Sequence, residues 1–177
     1  MIVNTLDFYG CRENFIKWKN QSVIGKRNNM FEFNQQQIIN APLEKVFSFF
    51  QQPENLSKTT PEWLNFDIIT KPPLIMKEGA VFKYKIKLFG IPFYWETNIV
   101  KYQPKKMFVD EQTKGPYKKW VHTHSFIESD GKVIMYDNVK YDLYGGLFKY
   151  LLNKIFIQKY IEKIFKYRKE TFEKEFL

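Results

Sequence analysis

The chain has 177 residues, which suits one domain with a sizeable buried core. Hydrophobic residues make up 44% of the sequence, but no continuous apolar stretch reaches the roughly 18–20 residues of a membrane span. The formal net charge is +9, yet the lysines are spread along the whole chain, which favours a solvated surface over a nucleic-acid site.

Cysteine usage and missing motifs narrow the class of protein further. The single cysteine, Cys11, excludes an internal disulfide and a cysteine-based zinc site, and is typical of a reducing cytosol. The N-terminus has basic residues but no apolar run of signal-peptide type, so we expect a cytoplasmic protein. Without a glycine-rich phosphate loop or a G-x-S-x-G elbow, phosphoryl transfer and serine hydrolysis are not expected.

Residues 1–29 mix apolar and basic residues and sustain neither a helical nor a strand period. A regular pattern begins at Phe31, directly after Met30. We therefore divide the chain into an N-terminal arm, residues 1–29, and a ligand-binding domain, residues 30–177. One hypothesis is that Met30 is an alternative or true start and that the arm is an addition.

A strand and two short helices are predicted to open the domain. Residues 31–39 form the strand, after which Asn40 supplies a capping residue and Pro42 suits a first helical turn. Apolar residues then recur at helical spacing, at Leu43, Val46, Phe47 and Phe50. Residues 53–56 begin the second short helix, which ends near Thr60.

Strands with short, turn-rich links fill the middle of the chain. Alternation is clearest at 80–89, where apolar residues from Phe82 to Leu88 alternate with lysines, so one face is buried and the other is wet. The predicted strands of this series are 64–70, 80–89, 93–102, 107–113, 117–128 and 132–143. Strands joined in this way form an antiparallel meander.

A long helix ends the chain, because residues 147–176 contain neither proline nor glycine. Its first apolar face comprises Phe148, Leu151, Leu152 and Ile155. Its later apolar face comprises Ile161, Ile164, Phe165, Phe172 and Phe176. Because the second face lies roughly half a turn around from the first, we expect a bend or a separate first turn near Phe156.

This order of elements predicts an α+β fold in which a curved antiparallel sheet wraps around the long C-terminal helix. A twisted meander cannot stay flat, and it must cover its apolar face. Only the last helix is long enough to do so. A space lined by the inward residues of the strands is expected between helix and sheet.

Six motifs carry a resemblance to a known family. They are NAPLEKVF at 40–47, PENL at 53–56, TPEWL at 60–64, LFGIP at 88–92, VDEQ at 109–112 and GPYKKWVHTHSF at 115–126. With the element order, they resemble the helix-grip superfamily of START-like and Bet v 1-like proteins, and within it bacterial polyketide cyclase/dehydrase-like or lipid-binding proteins. The resemblance runs from residue 31 to about residue 172, and its last motif is the most specific. It implies a helix-grip fold with a ligand cavity, but no particular reaction.

Alternation along one strand places four residues on a single face: Trp120, His122, His124 and Phe126. A three-residue connection to the preceding strand places Asp110 on that face too, opposite Trp120 and diagonal to His122. Since Trp120 and Phe126 favour the interior, the histidines and Asp110 are expected to point inward. The pattern predicts a polar cluster that orients a ligand in an apolar pocket.

Asp137 has the inward parity of the next strand. A buried aspartate needs a hydrogen-bonding partner, for which His122 or His124 is expected. The candidates for the aromatic wall of the pocket are Trp63, Phe82, Tyr84 and Trp95. Ordinary core packing is the alternative role for each of these four.

Other interpretations of the histidine cluster stay open. In one, the histidines face solvent or cap a buried acid, and no ligand is involved. Two histidines and a carboxylate suit an open metal site, but no third strong ligand has the right spacing, so we predict no metal and no cofactor. A histidine beside Asp110 also suits proton transfer in an aldol-type cyclisation or a dehydration.

The leading hypothesis is a cytosolic binder of a hydrophobic small molecule such as a lipid, a polyketide or an isoprenoid. The runner-up is a cyclase or dehydratase that uses the same His/Asp cluster. In a third hypothesis the basic arm and the amphipathic helix at 156–172 contact anionic lipid headgroups. Packing of that helix into the domain's own sheet is the competing interpretation.

Overall fold

The computed structural model describes residues 23–27 by their backbone and residues 30–177 in full. Within these described residues, eight strands form one antiparallel sheet in the order β1-β2-β8-β7-β6-β5-β4-β3. They are β1 (Val23–Arg27), β2 (Met30–Ile39), β3 (Asp67–Ile68), β4 (Val81–Leu88), β5 (Ile91–Gln103), β6 (Met107–Lys114), β7 (Lys119–Ser129) and β8 (Lys132–Asp142). Strands β3 to β8 follow one another as a meander, and the last of them pairs with β2.

The described helices lie at two points of the chain. After β2 come α1 (Leu43–Phe50) and two 3₁₀ turns, Pro53–Leu56 and Glu62–Leu64. After β8 one continuous helix comprises α2 (Phe148–Leu152), a π-helical turn (Asn153–Ile157) and α3 (Gln158–Glu175). The α+β helix-grip prediction is confirmed. Among the described helices, none combines the length and the apolar composition needed to cross a bilayer.

The segment between β2 and β4 differs from prediction in three details. Pro42 occupies the N-cap of α1 and no side chain caps the helix, so the capping role predicted for Asn40 is wrong. The second short helix is a single 3₁₀ turn. The strand predicted at 64–70 shrinks to Asp67–Ile68, because a second 3₁₀ turn precedes it and Asn65 adopts a left-handed conformation with φ of 41°.

Turns and bulges give the sheet its curvature. The hairpin turns at Phe89-Gly90 and Asp130-Gly131 each contain two residues with positive φ, as type I′ turns require, and such turns match the twist of the flanking strands. Strand β5 carries register shifts after Glu96 and after Ile99. Because β-bulges bend a strand and increase its twist, these shifts help β5 to curve around the helix.

The predicted alternation in β4 is confirmed. Its four apolar residues, Phe82, Tyr84, Ile86 and Leu88, are buried, and the lysines between them are exposed. This buried face points toward α3, whose residues Ile161, Phe165 and Phe172 are also buried. Phe165 meets Phe33 of β2 with ring centres 4.6 Å apart. The amphipathic helix therefore packs into the domain's own sheet.

The predicted break near Phe156 coincides with the π-helical turn. A π turn adds one residue to the turn and rotates the side chains that follow, so the two apolar faces of the helix cannot both meet the sheet. The first face, Phe148, Leu151, Leu152 and Ile155, is exposed. No described residue covers it.

The N-terminal arm contributes to the sheet. Strand β1 pairs with β2 from Val23 opposite Asn34 to Arg27 opposite Met30, although its sequence shows no strand period. The rest of the arm, residues 1–22, 28 and 29, lies outside the described residues. The hypothesis that the arm is an added segment therefore stays a hypothesis.

Replacing Phe165 tests the packing of α3 against the sheet. Phe165→Ala is expected to lower the free energy of unfolding by about 3–5 kcal/mol, because it leaves a cavity beside Phe33. The matched control on the same continuous helix is Phe148→Ala, which is expected to change it by less than about 0.5 kcal/mol because Phe148 is exposed. Urea denaturation measures both, and equal effects would contradict this packing.

Candidate functional site

A cavity of about 190 Å³ lies between the inner face of the sheet and α3. Strands β4 to β7 line one side of it, and α3 lines the other through Ile161, Ile164 and Phe165. Residues around the turn Pro53–Leu56 line the cavity at one end. The lining is mostly aliphatic and aromatic. For comparison, an engineered cavity of about 150 Å³ in another protein binds benzene.

Two histidines and two aspartates form a closed cluster on the sheet side of this cavity. His122 Nε2 lies 2.8 Å from Asp137 Oδ1, and His124 Nδ1 lies 3.0 Å from the same oxygen. On the other side, Asp110 Oδ2 lies 3.7 Å from His122 Nδ1 and 3.4 Å from His124 Nε2. Each imidazole is thus held between a deep carboxylate, Asp137, and a carboxylate at the cavity wall, Asp110.

The two imidazoles differ in their contact with Asp137. His122 Nε2 and Asp137 Oδ1 form a hydrogen bond. The approach of His124 Nδ1 is close but not aligned for a hydrogen bond, so this buried nitrogen has no hydrogen-bonding partner among the described residues. Both histidines are only 3% exposed, which contradicts the alternative in which they face bulk solvent.

Strand register brings these four residues together. Asp110 of β6 is the cross-strand partner of His122 on β7, and His124 is the partner of Asp137 on β8. The predicted register, with Asp110 opposite Trp120, is wrong by two residues, because β6–β7 pairing stops at Glu111 and leaves a longer connection. A shift of two keeps every side chain on its face, so Asp110 still points inward.

Burial and the neighbouring charges shift the pKa values of the two histidines in opposite directions. Burial, followed by the charge of His124, lowers the pKa of His122 from 6.5 to about 4. Burial also opposes protonation of His124, but its contacts with Asp110 and Asp137 outweigh burial and raise its pKa above 6.5. Burial by itself would raise the pKa of Asp110 and of Asp137, whereas the two imidazoles bring both below their ordinary value.

Arg168 lines the same cavity from α3, and the sequence prediction missed it. Burial lowers its pKa, and the charges of Asp137 and Asp110 oppose that effect. A signal was available: Arg168 lies three residues after Phe165 and four before Phe172, and this spacing puts it on the buried face of the helix. The arginine adds a second cation to the polar end of the cavity.

Seven of the predicted site residues line the cavity: Phe82, Tyr84, Trp95, Asp110, Trp120, His122 and His124. Asp137 lies one layer behind them, against both imidazoles. Trp63 and Phe126 do not line the cavity. The ligand-binding role of the seven residues stays a prediction.

Local structure explains why Trp63 and Phe126 lie outside the cavity. The 3₁₀ turn Glu62–Leu64 directs Trp63 outward, where its ring meets Tyr167 edge-on at 5.9 Å. Phe126 lies one strand period beyond His124 and is covered by Phe47 and Phe50 of α1. Both aromatics therefore contribute to packing.

Imidazole NMR tests the proton distribution, because the chain contains only two histidines. With a chelator present, we expect one histidine to titrate near pH 4 and the other above 6.5. His124 then contributes fully to the stability of the folded protein below pH 6.5, and this contribution declines as the pH rises through its raised pKa. His122 behaves in the opposite way: folded-state stability is not reduced by its titration above pH 6.5, and it declines as the pH falls toward the lowered pKa.

Asp137→Asn should lower the pKa of His124, because it removes one of the two carboxylates that favour the charged ring. Asp130→Asn, in an exposed hairpin turn, is the matched control and should leave both histidine titrations unchanged. Two histidines that both titrate near 6.5 in the wild type would contradict the cluster.

Comparisons with known proteins agree with this geometry at the level of the fold. TTHA0849 from Thermus thermophilus superposes with a TM-score of 0.63 at 18% identity, over 81% of this chain and 94% of that one. Ginseng major latex-like protein 151 from Panax ginseng superposes with a TM-score of 0.63 at 12% sequence identity, over 85% of this chain and 99% of that one. A START superfamily protein from Mycobacterium smegmatis superposes with a TM-score of 0.60 at 9% sequence identity, over 82% of this chain and 96% of that one.

No curated protein sequence matches the chain. A family model does, and its description is polyketide cyclase/dehydrase and lipid transport. The match covers residues 39–164, which include α1, strands β3 to β8 and the beginning of α3. The resemblance read from the motifs is thereby confirmed, and the chain belongs to the polyketide cyclase/dehydrase and lipid transport family.

Proposed function

We propose that the protein binds a hydrophobic small molecule, of lipid, polyketide or isoprenoid type, in the cavity between the sheet and α3. The observation that carries this proposal is the cavity itself. Protein interiors rarely contain voids much larger than a water molecule. The space of about 190 Å³ between the sheet and α3 is far larger than such a void, and a bound apolar group would fill it.

The polar end of the cavity favours a particular kind of ligand head. At this end the carboxylates of Asp110 and Asp137 contact the two imidazoles, and the Arg168 guanidinium lines the cavity beside them, so the charged groups already have partners of opposite sign. A charged head would upset this balance in a region of low dielectric. A hydroxyl or a carbonyl would find hydrogen-bonding partners there without adding charge, so we infer a neutral polar head.

The size of the cavity limits what fits without movement. About 190 Å³ accommodates a compact ring or a short chain, whereas a long acyl chain needs more room. Among the lining residues, Gln52, Leu56 and Thr60 reach solvent on one side, and Ile164 and Arg168 are partly exposed on α3. We infer that the ligand enters here, between the 3₁₀ segment and α3.

A cavity-filling substitution tests this function. Ile164→Trp is expected to weaken binding at least about tenfold, because the larger side chain occupies the inferred entrance. The matched control is Ile155→Trp, on the exposed side of the same helix, which should leave affinity within about twofold. Calorimetry with straight-chain fatty alcohols of increasing length gives the affinities and the longest chain accepted.

Binding of no alcohol, combined with mass spectra of native protein that show no co-purified molecule, would contradict the proposal. Equal weakening by the two substitutions would place the binding site outside the cavity.

A cyclase or dehydratase is the second candidate function. It is favoured by one observation: the neutral His122 lines the cavity, while Asp137 holds its other ring nitrogen at 2.8 Å. A base oriented by a carboxylate is the arrangement that general base catalysis requires. Its low pKa makes His122 a weak base, which is why binding is the leading proposal.

If the cluster catalyses, His122→Gln should reduce turnover of a linear poly-β-ketone by about 100-fold or more and leave its affinity nearly unchanged. Turnover by chromatography and affinity by calorimetry separate the two effects. A poly-β-ketone that binds to the wild type and is recovered unaltered would count against catalysis.

A further inference from the structure

We propose that Asp110, His122 and His124 form a binding site for one divalent transition-metal ion, with coordination positions left open toward the cavity. The sequence predicted no metal, because no third strong ligand had the right spacing. In the structure, the β6–β7 register places the Asp110 carboxylate near both imidazoles. The proposal of a metal site does not depend on the apolar ligand proposed above, although both involve this wall of the cavity.

Three donor atoms converge in this cluster: His122 Nδ1, His124 Nε2 and Asp110 Oδ2. The three residues offer ligand atoms that lie within 4.8 Å of one another. Two ligands at 2.0–2.2 Å from a tetrahedral ion are about 3.4 Å apart. The observed separations from Asp110 Oδ2 are 3.7 Å to His122 Nδ1 and 3.4 Å to His124 Nε2, which are close to that value.

Asp137 supplies the outer shell that metal-binding histidines require. In known sites the ring nitrogen that does not bind the metal donates to a carboxylate, which fixes the tautomer and the ring orientation. Here Asp137 Oδ1 lies 2.8 Å from His122 Nε2 and 3.0 Å from His124 Nδ1, the two nitrogens that face away from Asp110. The His124 nitrogen, which has no aligned partner among the described residues, would gain this bond after a small rotation.

The residues proposed to bind the metal line the cavity, whereas the residue that supports them lies behind it. Asp110, His122 and His124 line the cavity, whereas Asp137 does not. Three protein ligands beside an open space match metal sites that keep coordination positions for water or a substrate. The oxygen of a neutral ligand head could complete the coordination.

Charge favours a cation at this position. The carboxylate of Asp110 would bind the ion directly, and the carboxylate of Asp137 lies against the far ring nitrogens of both imidazoles. Imidazole with carboxylate suits Zn²⁺, Co²⁺, Ni²⁺ or Fe²⁺ rather than Mg²⁺ or Ca²⁺.

Titration with Co²⁺ tests the site. The protein used is the full chain without a histidine tag, carrying Cys11→Ser to remove the only thiol. We expect visible d–d absorption that saturates at one equivalent and disappears when Zn²⁺ is added. His122→Gln and His124→Gln should each weaken Co²⁺ binding at least about 100-fold, and Asp137→Asn should weaken it about 10–100-fold.

Asp130→Asn is the matched control and should bind Co²⁺ as the parent protein does. Nitrogen NMR of the imidazoles in the wild-type sequence, with and without Zn²⁺, tests the site without any substitution in the cluster. The chemical shifts of His122 Nδ1 and His124 Nε2 should change most. Absence of Co²⁺ absorption, absorption unchanged by both histidine substitutions, or Zn²⁺ that shifts neither ring would each overturn the proposal.

Discussion

The packing of α3 against the inner face of the curved sheet is the constraint on which the rest of this structure depends. Ile161, Phe165 and Phe172 close the interior on one side, and the apolar face of β4 closes it on the other. Their contact is incomplete, and a cavity of about 190 Å³ remains between them. Water is largely excluded from the polar groups at its edge, so their mutual charges act in a low dielectric.

That exclusion explains the form of the polar cluster. A single buried carboxylate would be costly, but Asp137 contacts two imidazoles and Asp110 contacts the same two from the other side. The four groups cannot be varied independently, because removing one leaves its partners buried without compensation. The cluster is therefore both a structural element of the sheet and the polar wall of the cavity.

The proposals for a ligand and for a metal meet at Asp110 and the imidazole edges. An apolar body would occupy the space beside Ile161 and Phe165, and a polar head would lie against this wall. A metal held by the wall would offer that head an open coordination position. The α2 end of the helix is separate from this site, since the π turn directs its apolar face away from the sheet.

Local patterns in the sequence determined much of the fold. The alternation of Phe82 to Leu88 specified a half-buried strand, and the change of apolar face marked the π turn. Parity along β7 put both histidines inside. These features depend on residues close together in the chain, where side-chain direction repeats with a fixed period.

The contacts between distant segments were decided by the tertiary structure. Whether Asp110 meets Trp120 or His122 depends on where the ladder between β6 and β7 stops, and both registers leave the same residues on the inner face. The outward turn of Trp63 follows from a 3₁₀ turn whose end conformation no apolar period encodes. The sequence indicated which strand side chains point inward, because side-chain direction alternates along a strand. Only the assembled sheet and helix decided which of them touch and how much space they leave, because those outcomes depend on register and packing between distant parts of the chain.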